Sequence, residues 1–167
     1  MKIYLVGMPL SGKTTVGKEL ADRLLFDFID LDDFIEELYE VNIDEMLKNG
    51  HEDLFRSLET EALIECLKMS NTVISTGGGI VLDENNNDLM DGIVVFLNVE
   101  LEVLKEREKE AKKRPLLKDD NSLEAMFNER IDLYYDFADI ILSETDLNKV
   151  VSEIIEILEA KEFIWKV

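Results

Sequence analysis

The stretch "GMPLSGKTT", Gly7 to Thr15, directly follows the apolar run Ile3-Tyr4-Leu5-Val6 and runs into "VGKELADRLL". Gly7, Gly12, Lys13 and Thr14 satisfy G-x-x-x-x-G-K-[ST] between a strand pattern and a helix pattern, the setting in which that spacing means a phosphate cradle. Loop N–H groups and the helix N-terminus surround anionic oxygens. Lys13 is expected to neutralise the β- and γ-phosphates of ATP, and the Thr14 hydroxyl to ligate Mg²⁺. A glycine-containing turn that binds nothing is the plainer alternative. Leu10 is the irregular position, because many small-molecule kinases with this loop carry glycine there. If the loop needs φ > 0 at that point, leucine costs on the order of 1 kcal/mol. Pro9 helps fix the turn, so a slightly altered loop with retained ATP binding is expected.

Working outward, strand-like runs fall at Lys2–Val6, Phe26–Asp30, Thr72–Thr76, Ile93–Val99 and Ala138–Leu142. Helical periods fill the gaps at Lys13–Leu25, Asp53–Met69, Leu101–Ala111, Ser122–Tyr135 and Asp146–Ala160. On the second of these, Leu54, Leu58, Ala62 and Leu63 are placed on one side. Asn42 with Glu45 reads as a capping box opening a short helix. Strands alternating with helices predict a parallel sheet covered on both faces, with ligands at the carboxyl ends of the strands.

The 167 residues suffice for one domain, and the net charge of −20, from 18 basic and 38 acidic residues, argues against nucleic acid and anionic membranes as partners. No apolar run is long enough to span a bilayer. The chain enters a strand pattern at once, and its lone Cys66 cannot form an internal disulfide, so a cytoplasmic setting is expected. Cys66 itself reads as a small packing residue and the single histidine, His51, as a solvated one.

"FIDLDDFIEE" places Asp30 and Asp32 at the end of a strand, where residues i and i+2 point the same way. One carboxylate is expected to hold Mg²⁺ through water, and the other to orient or deprotonate a hydroxyl acceptor. The plainer reading is helix capping by Asp32 or Asp33. Arg56 and Glu59 are spaced to pair on one helix face, as a buried clamp or a surface ion pair. Gly77-Gly78-Gly79 after the third strand allows close backbone approach, to a ligand or as a plain turn. "KEREKEAKKRPLLKDDN" is the most cationic stretch, broken by Pro115, and reads as a mobile lid at about 109–121. The Phe163-Ile164-Trp165 tail is expected to dock on the domain or on a partner.

The strand-end D-x-D followed by F-I-E, then "GHEDLFRSLE", "STGGG", "RPLL" and "ERIDLYYDFAD", in that order, resembles the shikimate kinase family through nearly the whole chain. The resemblance implies a P-loop NTPase α/β fold with a five-stranded parallel sheet in order 2-3-1-4-5. It also implies a single kinase domain, residues 1–167, with a substrate-binding region near 31–60, expected to be a monomer. Its implied reaction is ATP-dependent phosphorylation of the 3-hydroxyl of shikimate, on the route to chorismate and the aromatic amino acids.

The catalytic residues implied are Asp32, Lys13 and Arg114. ATP would contact Gly7, Ser11, Gly12, Lys13, Thr14, Thr15, Arg107 and Arg114, with an ordinary surface pair as the other reading of Arg107. The acceptor would meet Asp32, Arg56, Gly77, Gly78, Gly79 and Arg130, the last being otherwise a surface helix arginine. Thr14 and Asp30 would serve Mg²⁺. One departure is the loop "SETDLNK", Ser143–Lys149, which lacks the arginine and proline common near the adenine in that family. Backbone and apolar base contacts are expected there instead. The rival readings are a kinase for another small acceptor, such as gluconate or a nucleotide, and a catalytically silent binding protein.

Overall fold

The structure, a computed structural model, describes residues 1–112 and 121–161. Arg114, most of the predicted lid and the Phe163-Ile164-Trp165 tail lie outside the described residues.

The elements run β1 Lys2–Val6, α1 Lys13–Leu24, β2 Asp27–Asp30, α2 Leu31–Tyr39, α3 Ile43–Lys48, α4 Glu52–Cys66, β3 Thr72–Ser75, a 3-10 turn Ile80–Leu82, α5 Asn85–Leu89, β4 Ile93–Leu97, α6 Leu101–Lys112, α7 Asn121–Phe137, β5 Ile140–Leu142 and α8 Leu147–Ala160. The five strands form one sheet in the order β2-β3-β1-β4-β5, and every neighbouring pair is parallel. The predicted order is the observed one.

β1 is buried along its whole length, and its alternating side chains serve two cores. Ile3 and Leu5 join Val73, Val95 and Leu97 beneath α1 and α8. Tyr4 and Val6 join Ile74, Val94 and Phe96 on the other face, with α2, α3, α4 and α7 above them. A strand buried on both faces must read as a continuous apolar run, as β1 does.

Local chemistry sets the ends. α1 stops where Leu25 turns left-handed at φ 56 and donates its N–H to the carbonyls of Ala21 and Asp22, a helix end that satisfies orphan carbonyls. Phe26 N–H also bonds back to Ala21, so β2 begins at Asp27, one residue later than predicted. Asn42 accepts from Glu45 N–H, as the capping box required, and Asp146 caps α8 through Lys149 N–H.

At the last strand, Asp139 bonds the Val94 N–H with its carboxylate and the Val94 carbonyl with its own N–H. The regular ladder therefore starts at Ile140 rather than Ala138. β4 ends at Leu97 because Val99 N–H turns back to the Leu97 carbonyl. Leu54, expected on the apolar side of α4, is 53% exposed, while Phe55, Leu58, Ala62, Leu63 and Cys66 are buried. The buried stripe simply starts one residue later. Cys66 is buried and free, as expected. Among the described residues, no helix is long and apolar enough to cross a membrane.

Candidate active site

The site gathers at the carboxyl ends of β1, β2 and β3. After β1 the chain turns through Met8–Ser11, closed by a hydrogen bond from Ser11 N–H to the Met8 carbonyl at 3.2 Å. Leu10 adopts φ 68 and Gly12 φ 94, so the condition under which leucine strains the loop is met. Gly12 caps α1 without any side-chain bond. The first N–H groups of the helix therefore keep their bonding capacity, and with the left-handed residues they form an anion-binding concavity.

Lys13 is buried at the loop's centre, donating to the Gly7 and Met8 carbonyls at 2.8 Å each. Burial lowers its pKa to about 8, against the opposing pull of Asp32 and Asp30. Asp30 ends β2 and caps α2, its Oδ1 accepting from the N–H groups of Asp32 and Asp33. Neither Asp32 nor Asp33 is the cap. The second oxygen of Asp30 accepts from the Thr14 hydroxyl at 2.7 Å. Ser75, paired with Asp30 across the β2–β3 register, brings its Oγ within 3.5 Å of Thr14 Oγ1. Three oxygen-bearing side chains from α1, β2 and β3 thus meet, a donor set that suits a hard cation. The Ser75 hydroxyl was not among the predicted site residues.

Asp32 reaches this region by a different geometry from the predicted one. The strand stops at Asp30 and Asp32 lies in the first turn of α2, so the two acids do not share a strand face. The tight turn at the cap returns Asp32 to the same crevice. Burial raises its pKa to about 6, with Asp30 pushing the same way and Lys13 and Arg56 opposing.

Arg56 and Glu59 on α4 form a 2.6 Å contact in which Glu59 is only 1% exposed, which removes the surface-pair alternative. Burial pushes the Glu59 carboxyl up despite Arg56 beside it. The three glycines are needed by the protein's own side chains. A Cβ on Gly77 would stand 2.9 Å from Glu59 Oε1 and 3.0 Å from Asp32 Oδ1, and one on Gly79 only 2.3 Å from Arg56 Nη1. Tyr134 on α7 donates its hydroxyl to the Gly78 carbonyl and stacks on Phe96, a tie that no sequence spacing signals. Tyr135, next to it in the chain, is 43% exposed.

Arg130 is buried on α7, and its charge acts on Lys13, Glu59 and Tyr134. Among the described residues, the buried side-chain atoms without a hydrogen-bond partner are Asp32 Oδ1, Glu59 Oε1, Arg56 Nε and Arg130 Nε. All four belong to this cluster, two acceptors and two donors.

On the other side of the loop, a cavity of about 310 Å³ is bounded by Leu10, Ser11, Gly12 and Thr15, by apolar Val16, Leu97, Leu147 and Val150, and by Arg107, Glu144 and Thr145. Arg107 donates to the Leu10 carbonyl at 2.8 Å, so it lies at the loop. Glu144 folds onto the N–H groups of Thr145 and Asp146. A larger cavity beside Arg56, about 590 Å³, is bordered by Glu52, Asp53, Asp83 and Glu84 and includes neither Asp32 nor Arg130. Its carboxylates would repel an anion.

The family model for shikimate kinase matches residues 9–159. A shikimate kinase of Clostridium botulinum (strain Okra / Type B1) is 46% identical over 138 residues, covering 79% of this chain and 81% of the relative. One from Rippkaea orientalis is 38% identical over 162 residues, covering 93% and 87%. Among solved structures, shikimate kinase from Acinetobacter baumannii in complex with shikimate superposes with a TM-score of 0.86 at 31% identity, covering 96% of this chain and 93% of that one. With its motifs, its strand order and these likenesses in agreement, the chain belongs to the shikimate kinase family.

Proposed function

We propose that the protein transfers the γ-phosphoryl group of ATP to the 3-hydroxyl of shikimate, releasing ADP. The observation that carries this reading is the set of four orphaned buried atoms. Buried polar groups are rarely left unpaired without a functional reason. Asp32 Oδ1 and Glu59 Oε1 call for donors, such as hydroxyls, and Arg56 Nε and Arg130 Nε call for an acceptor, such as a carboxylate. A small carboxylated polyol supplies both.

In this reading Arg56, held by Glu59, and Arg130 grip the carboxylate, and the Gly77–Gly79 turn lets the ring approach. Asp32 takes the proton as the acceptor oxygen bonds to the γ-phosphorus and the bond to the bridging oxygen breaks. Its pKa of about 6 leaves it mainly ionised at neutral pH yet still basic enough to act. Lys13 leaves its own loop carbonyls for the phosphates and neutralises the transferring group. Gly7, Ser11, Gly12 and Thr15 cradle the phosphates, with the base toward the apolar 310 Å³ cavity.

Thr14 and Asp30, with Ser75 beside them, fit Mg²⁺. No group of three or more His, Cys, Asp or Glu among the described residues could hold a metal alone. A cation sharing few protein ligands with phosphate oxygens suits that. When bound it would offset charge on the β- and γ-phosphates. Assigning Arg114 to the transferring phosphate and the region near 31–60 to the acceptor rests on the family resemblance, whereas the lid rests on its cationic stretch broken by Pro115, the single domain on chain length and the cytoplasmic setting on the lone Cys66. A monomer is inferred, and gel filtration at the mass of one chain tests it.

The deciding experiment is coupled ADP release with Mg-ATP and shikimate, gluconate or AMP as acceptor. Turnover with shikimate alone is expected. Turnover with gluconate or AMP instead would move the acceptor and require another ligand for Arg56 and Arg130.

A further inference from the structure

Gly77, Gly78, Gly79 and Ile80 form a β-turn, closed by a hydrogen bond from Ile80 N–H to the Gly77 carbonyl at 3.2 Å. A third residue at about −90° and 0° marks a type I turn, and one at about +80° and 0° a type II turn. Gly79 stands third, at φ −96 and ψ 4, so the turn is type I. The two types differ by a flip of the central peptide, here the one joining Gly78 to Gly79. Glycine adopts either sign of φ with ease, and at the third position it suits type II. The flanking bonds do not choose between the forms. Ile80 N–H to the Gly77 carbonyl and Leu82 N–H to the Gly79 carbonyl use the planes on either side of the central one.

The Tyr134 hydroxyl does choose. It donates to the Gly78 carbonyl, which lies in the central plane. The Gly79 N–H lies in the same plane and points the opposite way across the trans bond. Tyr134 thereby turns that N–H away from itself. Gly79 is buried, and among the described residues its N–H donates to no carbonyl or side chain. Its α-carbon lies against Arg56, since a Cβ there would collide with the guanidinium. An unspent buried donor beside an arginine fits a carboxylate or hydroxyl oxygen. A flipped peptide would carry that donor to the Tyr134 side and put the Gly78 carbonyl, an acceptor, in its place.

We propose that Tyr134 is a positioning residue for the acceptor: its hydroxyl holds the Gly78–Gly79 peptide in the type I form, which presents the Gly79 N–H beside Arg56. The contribution passes through the backbone of the turn. The inference rests on the acceptor binding at the Arg56 cluster.

The hydroxyl has two other neighbours, Arg130, whose charge acts on it, and Met8 Sδ at 3.8 Å, and the test separates them from the turn. Tyr134→Phe keeps the ring that stacks on Phe96 and removes only the hydroxyl. Two quantities are read: KM for each substrate and, in protein with isotope-labelled glycine, the nuclear Overhauser cross-peak between the Gly78 α-protons and the Gly79 N–H. That cross-peak is weak in a type I turn and strong in a type II turn, where the flipped peptide brings the protons together. KM for shikimate is expected to rise about 5-fold, the scale of one neutral hydrogen bond, with KM for ATP unmoved and the cross-peak strengthened. An unmoved acceptor KM overturns the proposal. So does a rise with the cross-peak as weak as in the parent, which assigns the loss to Arg130. An equal rise in KM for ATP overturns it too, by assigning the loss to Met8 and the phosphate loop. If thermal unfolding shows that Tyr134→Phe does not fold, Tyr134→Leu is judged by the same outcomes. Parent protein that does not turn over shikimate defeats the acceptor reading itself, whereas turnover with any contrary outcome defeats only the positioning role.

Discussion

The two sides of the phosphate loop are built from different materials. The side proposed for the acceptor is a cluster of buried and half-buried charged side chains, in which Asp32, Arg56, Glu59 and Arg130 each leave a polar atom without a hydrogen-bond partner. The nucleotide side is a cavity of about 310 Å³ with aliphatic walls and a floor of loop backbone, and its one acid, Glu144, is spent on neighbouring N–H groups. On the proposed reading, acceptor recognition rests on side-chain identity and nucleotide recognition on backbone shape. Substitutions should act on the two sides with very different force.

The largest effect is expected at Asp32. Asp32→Asn keeps the shape and removes the base, and kcat should fall by about 10³-fold, within the usual range for general base catalysis, with KM for ATP little changed. A loss below tenfold would falsify the base assignment. The same variant reports on charge burial. The folded pKa of Asp32, about 6, exceeds its ordinary value of 3.8. The stability tied to that raised value is complete below the ordinary pKa and is lost as pH rises through about 6. The asparagine carries no charge to lose. Two pKa units are worth ~3 kcal/mol, which partial exposure trims to about 2. Asp32→Asn should therefore unfold later than the parent at pH 8, and the gain should vanish near pH 4. A gain that grew toward acid pH would show the carboxylate to be stabilised, not penalised, by its surroundings.

Next comes Arg56→Lys. The charge survives but the planar fork that meets Glu59 and a carboxylate does not. KM for the acceptor should rise by about 30-fold, the scale of one charge-assisted hydrogen bond, while KM for ATP stays put. Parallel rises in both constants would dissolve the distinction between the two sides.

The smallest effect is expected at Glu144→Gln, where KM for ATP should change by less than about 3-fold, as for one exposed hydrogen bond. A tenfold shift between ATP and GTP would mean that a side chain, after all, reads the base.

Most of the fold was legible because its signals are local. β1 is apolar throughout, the capping box at Asn42 needs only three residues of spacing, and the phosphate-loop spacing stands between a strand and a helix. Some boundaries moved through local bonds, such as Val99 N–H to the Leu97 carbonyl, and others for reasons outside any window. Asp139 replaced two residues of ladder by bonding Val94 with backbone and side chain together. Asp30 took the cap that Asp32 or Asp33 could have filled, and its second oxygen meets Thr14 from α1.

The sequence by itself determined the class of chemistry. The residue types of the phosphate loop, the acids after β2 and the arginines of α4 and α7 admit few other uses at those spacings. Tertiary structure decided which of their atoms would be left in need. Glu59 is an ordinary helix partner of Arg56 until packing seals it at 1% exposure, and Arg130 is a surface candidate until α7 buries it beside Tyr134. Desolvation belongs to the assembled fold, since it depends on which elements close over a group. Only that assembly gives Asp32 its raised pKa, and only it lays Arg107 across a turn 97 residues away.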